Sequence, residues 1–73
     1  MEYRATARYM DQTYHGHITD HDHKAVQSVL FNLPADRNQS NVVLIVHRVY
    51  RGNSEDVAYV TTESKYNSDT RNP

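Results

Sequence analysis

The segment TYHGHITDHDHKAV, residues 13–26, holds four of the five histidines of the chain, at 15, 17, 21 and 23, with aspartates at 20 and 22. On a strand, His15 and His17 stand two residues apart and project to the same side. That spacing could chelate zinc or nickel if Asp20, His21 or His23 brought a third ligand. Two features weigh against a resident metal. Closed structural zinc sites take four ligands, commonly with cysteine, and the chain contains no cysteine. Residues 20–23 also have the composition of a helix start, where Asp20 or Asp22 accepts hydrogen bonds from the first-turn amides. The segment is therefore expected to be a strand running into a helix cap, with no metal and no cofactor.

Catalytic chemistry finds no better footing. Hydrolases built on paired histidines also use a second motif or a glycine-rich phosphate loop, and the only glycines are Gly16 and Gly52. A Ser-His-Asp arrangement would have to recruit isolated serines such as Ser28 or Ser54, with no strained turn to present them. The chain is expected not to be an enzyme.

A different pattern stands out. Arginines interleave with tyrosines, as YR at 3–4, RY at 8–9 and RVYR at 48–51, while most acids fall in turns, caps or the C-terminal segment. Arginine and tyrosine are enriched among energetically dominant interface residues, and on an open sheet they can also clamp phosphates and stack bases. A partner-binding surface is accordingly expected from Arg4, Arg8, His15, His17, Arg48, Tyr50 and Arg51. A protein partner is favoured, with nucleic acid as the alternative. The net charge of −1 speaks against a broadly basic nucleic-acid binder.

These residues must be positioned by the elements around them. Residues 2–10 alternate, with Tyr3, Ala5, Ala7 and Tyr9 on one face and Arg4, Thr6 and Arg8 on the other, which is a strand signal. Residues 13–19 alternate again. Folding the two about Asp11 and Gln12 sets Tyr9 opposite Tyr14, Ala7 opposite Gly16 and Ala5 opposite Ile18, so both apolar sets share a face. The small residues there leave room for a closely packed neighbour. That neighbour is the helix expected over 21–33, whose stripe is Val26, Val29, Leu30 and Leu33 and which Pro34 ends. The segment 35–41 reads as a polar loop. Residues 42–50, VVLIVHRVY, are apolar on both faces, as in a central strand, and residues 57–63 form a fourth strand after the turn RGNSED.

The expected architecture is an α+β domain of ββαββ order: a four-stranded antiparallel sheet in spatial order 2-1-3-4 with one helix on one face. It spans residues 1–66, and residues 67–73 form a flexible polar tail. One helix covers only one face. The third strand has two apolar sets, Val42, Leu44 and Val46 against Val43, Ile45 and Val49, and the sequence leaves open which lies under the helix. A dimer interface is assigned to Val43, Ile45 and Val49 with Tyr59, because several β-branched side chains on an open sheet approach the apolar patch a soluble monomer tolerates.

With 73 residues, the chain buries only about 60% of its unfolded surface and gains much from a partner. No apolar run approaches the ~20 residues of a membrane span, and the absence of cysteine fits a reducing compartment. The expectation is a cytoplasmic, non-enzymatic regulatory or adaptor protein, a homodimer that binds a protein partner and no membrane. Chains of this size and character are common among phage and mobile-element accessory proteins.

Overall fold

The computed structural model describes residues 2–49 and 56–71. Its elements are β1 (Glu2–Tyr9), β2 (Gln12–His15), α1 (Asp22–Leu30), a 3-10 turn (Gln39–Asn41), β3 (Val43–Val49), β4 (Asp56–Thr62) and α2 (Glu63–Arg71). The strands form one sheet in the order β2-β1-β3-β4, each neighbouring pair antiparallel. This is the expected α+β topology, with a second helix added. Both β2 and β3 run against β1, so they are parallel to each other, and α1 carries the chain across β1 between them.

The first hairpin keeps the expected faces but not the expected partners. Tyr9 lies opposite Gln12 and Ala7 opposite Tyr14, a slip of two residues from the alternation-based register. A slip of two preserves every side chain's face, whereas a slip of one would invert them all. The turn is the two-residue Met10-Asp11, with φ of 49° and 64°. Positive φ at both central residues is the twist that joins antiparallel strands most tightly. Beyond His15 the ladder continues through Gly16 N–H to Ala5 O at 3.2 Å, then resumes as Tyr3 opposite Thr19. One extra residue has been inserted, as in a β-bulge. The bulge takes Ile18 out of the core expected for it: its side chain is 63% exposed and borders a small hollow with Glu2 and Arg4.

Under α1 lie Ala5, Ala7, Val42, Leu44 and Val46, all fully buried, with Ala25, Val26, Val29 and Leu33 supplied by the helical segment. Leu30 is only partly buried, and Ala25 takes its place in the stripe. The alanines and Gly16 are what allow this approach. A Cβ on Gly16 would stand 2.3 Å from Ser28 Oγ and 2.9 Å from the backbone nitrogen of Val29, closer than non-bonded atoms pack. The cap falls between the two aspartates expected for it, one residue after Asp20 and one before Asp22. His21 is the N-cap without a side-chain bond, while Thr19 Oγ1 donates to His21 O at 2.7 Å. It also ends earlier than expected, at Leu30, with Phe31 89% exposed.

The C-terminal region departs most from expectation. The final strand stops at Thr62, and Glu63–Arg71 form α2 where a strand end and a polar tail are expected. Thr62 Oγ1 accepts from Lys65 N–H at 3.1 Å, a side-chain cap on the first turn. Little apolar surface holds this helix. Polar attachments do so instead: Asn67 Nδ2 donates to Gln39 Oε1 at 3.2 Å, and two others are more buried. Glu63 is 2% exposed and receives both Arg37 Nε and Nη2, each at 2.6 Å. Tyr66 Oη donates to Asp22 Oδ1 at 2.6 Å, tying α2 to the start of α1. The segment expected as a plain polar loop thus supplies Arg37 as a structural partner.

Candidate functional site

The face of the sheet opposite α1 carries three rows of side chains fixed by the strand registers. Thr13, Arg8, Val43 and Thr62 form the first, and His15, Thr6, Ile45 and Val60 the second. Arg4, His47 and Ala58 form the third. Among the described residues, no helix packs on this face; α1 and the core lie on the other. The β3–β4 half is mainly apolar, with Val60 66% and Val43 37% exposed and His47 and Thr62 at its ends. The β2–β1 half is polar and cationic, with Arg4, Arg8, His15 and Thr13 all exposed.

The expected partner-binding residues therefore divide. Arg4, Arg8 and His15 share the open face. His17 does not: it lies past the end of β2, its amide donates to Ser28 Oγ at 2.8 Å, and it borders a shallow hollow on the α1 side. Arg48 belongs to the helix face, opposite Tyr3, with its guanidinium carbon 5.9 Å from the centroid of the Tyr59 ring. Two further members, Tyr50 and Arg51, lie outside the described residues, as does the side chain of Val49. In the expected dimer set, Val43 and Ile45 are on the open face but Tyr59 is not. It pairs with Val46 on the helix face, and Val60 occupies the position assigned to it. That exchange follows from the register of the second hairpin, which the turn sequence does not determine. Val60 goes unassigned for the same reason, whereas the alternation of β1 already places Thr6 with Arg4 and Arg8, and the parity of β3 places His47 with Ile45.

Tyr59 and Tyr66 share one carboxylate. Tyr59 Oη donates to Asp22 Oδ2 at 2.8 Å, and Tyr66 Oη to Oδ1. Burial, then the bond to Asp22 and its negative charge, hold both phenols well above the ordinary tyrosine range; Arg48 opposes the effect at Tyr59. The Glu63 carboxylate pushes the Arg37 guanidinium further up than usual through their hydrogen bonds. Both clusters are structural pins, with their polar atoms turned on each other. With Tyr3, Tyr9 and Tyr14 also packed against the core, no described tyrosine stands beside Arg4 and Arg8.

The histidines do not assemble a metal set. His15 and His17 fall on opposite sides of the bulge, His21 Nδ1 lies 3.2 Å from Asp20, and His23 meets His21 ring edge to face at 5.9 Å. Among the described residues, no three His, Cys, Asp or Glu side chains converge as ligands. No helix among them is long and apolar enough to cross a membrane. Comparison with family models, curated proteins and solved structures finds no match to this chain.

Proposed function

We propose that the protein is a non-enzymatic binding module that works through the open face of its sheet. It joins a second copy there as a homodimer and serves as a regulatory or adaptor protein toward a further protein partner. The observation that carries this reading is the set Val43, Ile45 and Val60 on a face that no described helix covers. Strands ~4.8 Å apart, of eight, four, seven and seven residues at ~3.3 Å each, give a flat footprint of about 410 Å². Side-chain relief raises the accessible area toward the ~800 Å² per partner of a stable interface. Burying the apolar half of this face, roughly 200–250 Å² per subunit, contributes on the order of 5–6 kcal/mol before association costs.

A two-fold axis near Ile45 would stack the apolar halves and leave Arg4 and Arg8 at the rim. There they avoid facing their own copies and remain open to an acidic partner, in keeping with the usual apolar core and polar rim. The nucleic-acid alternative is weaker, because base stacking needs aromatic rings beside the cations and the described tyrosines are engaged on the other face.

Sedimentation equilibrium tests the proposal. The expected mass at micromolar concentration is that of two 8.5 kDa chains. Val60→Lys should return the monomer with its circular dichroism unchanged. A monomer mass for the natural sequence up to ~100 μM would overturn the homodimer.

A further inference from the structure

We propose that the groove between the outer edge of β4 and α2 is a second binding site. It takes an extended peptide segment as a fifth strand and prefers a lysine or arginine on the groove side. This site meets the open face at Val60 but is built from the edge of β4 and from α2, and it does not rest on the proposed dimer.

Among the described residues, β4 ends the sheet and has a strand neighbour on one side only. In such a strand, alternate backbone N–H and C=O groups point outward, and only water or another extended backbone can satisfy them. Edge strands are normally blunted by brevity, bulges, charges or proline. The opposite edge follows that rule, since β2 has four residues and runs into the bulge. β4 does not. It pairs with β3 without interruption over seven residues; its one charged residue is Asp56 at the start, and Val-Ala-Tyr-Val-Thr-Thr at 57–62 contains neither charge nor proline.

The space beside it is shaped for an occupant. A groove of about 480 Å³ is bordered by three consecutive β4 residues, Tyr59, Val60 and Thr61. Consecutive residues alternate faces, so the strand's own edge must border the space. Lys65 and Asp69 face it from α2, and Asp22 stands at the start of α1. A peptide hydrogen-bonded to β4 would send every second side chain into this groove, the geometry of strand addition. The charged lining holds two carboxylates against one ammonium, with the His23 ring beside them. Lys65 is already paired with Asp69 at 3.1 Å, and each Asp22 oxygen takes one tyrosine donor and keeps further acceptor capacity. The unbalanced charge is negative, which calls for a cationic side chain. A second copy's β4 offers none between Val57 and Thr62, so self-pairing leaves that charge unmet.

The test titrates the isotope-labelled full chain with the capped peptide Thr-Val-Thr-Lys-Thr-Val-Thr, whose lysine and two valines share one face. Controls are its glutamate counterpart and a form N-methylated at alternate residues. Saturable amide shifts are expected at residues 57–62 and 65–70 with the lysine peptide, about tenfold weaker binding with glutamate, and none with the N-methylated form. Asp69 is 61% exposed, so Asp69→Lys should fold normally and reverse the preference between the two charged peptides. Any of three results would overturn the proposal: no saturable shift up to ~1 mM peptide, equal binding of both charged peptides, or shifts confined to the open face. Dilution-dependent shifts at Thr61 and residues 65–70 without peptide would also overturn it, by placing a second copy on the edge.

Discussion

Gly16→Ala offers the most sensitive probe of how α1 sits on the sheet. The added methyl carbon would stand 2.3 Å from Ser28 Oγ, 2.9 Å from Val29 N and 3.1 Å from Val29 Cβ. Ser28 could rotate away, but its hydroxyl donates to Ala25 O and accepts from His17 N–H, both bonds within 2.8 Å. Losing such a bond costs about 0.5–1.5 kcal/mol. Val29 N is helix backbone and cannot rotate, so α1 must lift and loosen Val26 and Val29 from Ala5 and Ala7. Overpacking of this kind costs about 1–3 kcal/mol. The sum is roughly 2–4 kcal/mol, against a total of ~4–11 kcal/mol for a chain of this length, and Tm should fall by about 10–30 °C. Urea and thermal melts of Gly16→Ala, Ser28→Ala and the double variant provide the assay. Removing Oγ removes the shortest collision, so the double variant should lose less than the two single losses added, with a coupling on the order of 1 kcal/mol. A loss below ~0.5 kcal/mol for Gly16→Ala, or strict additivity, would refute the proposed packing.

Other consequences can be checked on the same footing. Replacing Met10 by Asn and Asp11 by Gly should raise stability by about 1 kcal/mol, because these residues suit positive φ at both turn positions; an unchanged urea midpoint would argue against that turn. Arg37→Met strands the Glu63 carboxylate, which is 2% exposed, and should cost about 3–5 kcal/mol by chemical denaturation; a loss under ~1 kcal/mol would show that the pair does not hold α2. Tyr59 and Tyr66 have phenols raised in the folded chain, so their contribution is complete below the unfolded tyrosine value of ~10 and declines as pH rises beyond it. Ultraviolet titration of tyrosinate should show two late phenols, shifted down in Asp22→Ala; an Asp22→Ala curve identical to that of the natural sequence would contradict the shared carboxylate.

The faces of the first hairpin were legible in the sequence because a period of two survives a two-residue slip. Its partners were not, since Met10-Asp11 lacks the glycine or asparagine that normally marks such a turn. Ile18 was misplaced by a bulge with no local signature beyond Gly16 itself. Strand parity alone decides Arg4, Arg8 and His15; for Val43 and Ile45 it decides only that they share a face, and the pairing of Leu44 with Ala7 turns that face away from the helix. For Arg48 the parity of β3 was also available, and it assigns that residue to the face of Leu44 and Val46. Tyr59 needed the register across residues 50–55. In α2, the segment ESKYNSDTR has no apolar stripe, and its docking depends on Arg37–Glu63 and Tyr66–Asp22, pairs 26 and 44 residues apart. Contacts that distant leave no periodic trace; Thr62 as a cap was the one local clue.

The central claim is that a second copy seats on the face bearing Ile45 and Val60. Its most direct test is isotope-filtered NMR on an equimolar mixture of carbon-13-labelled and unlabelled chains. Nuclear Overhauser effects between copies are predicted from the methyl groups of Val43, Ile45 and Val60, and none from Val26, Val29 or Leu44. Effects arising from the helix face instead, or no effect between copies at millimolar concentration, would contradict it.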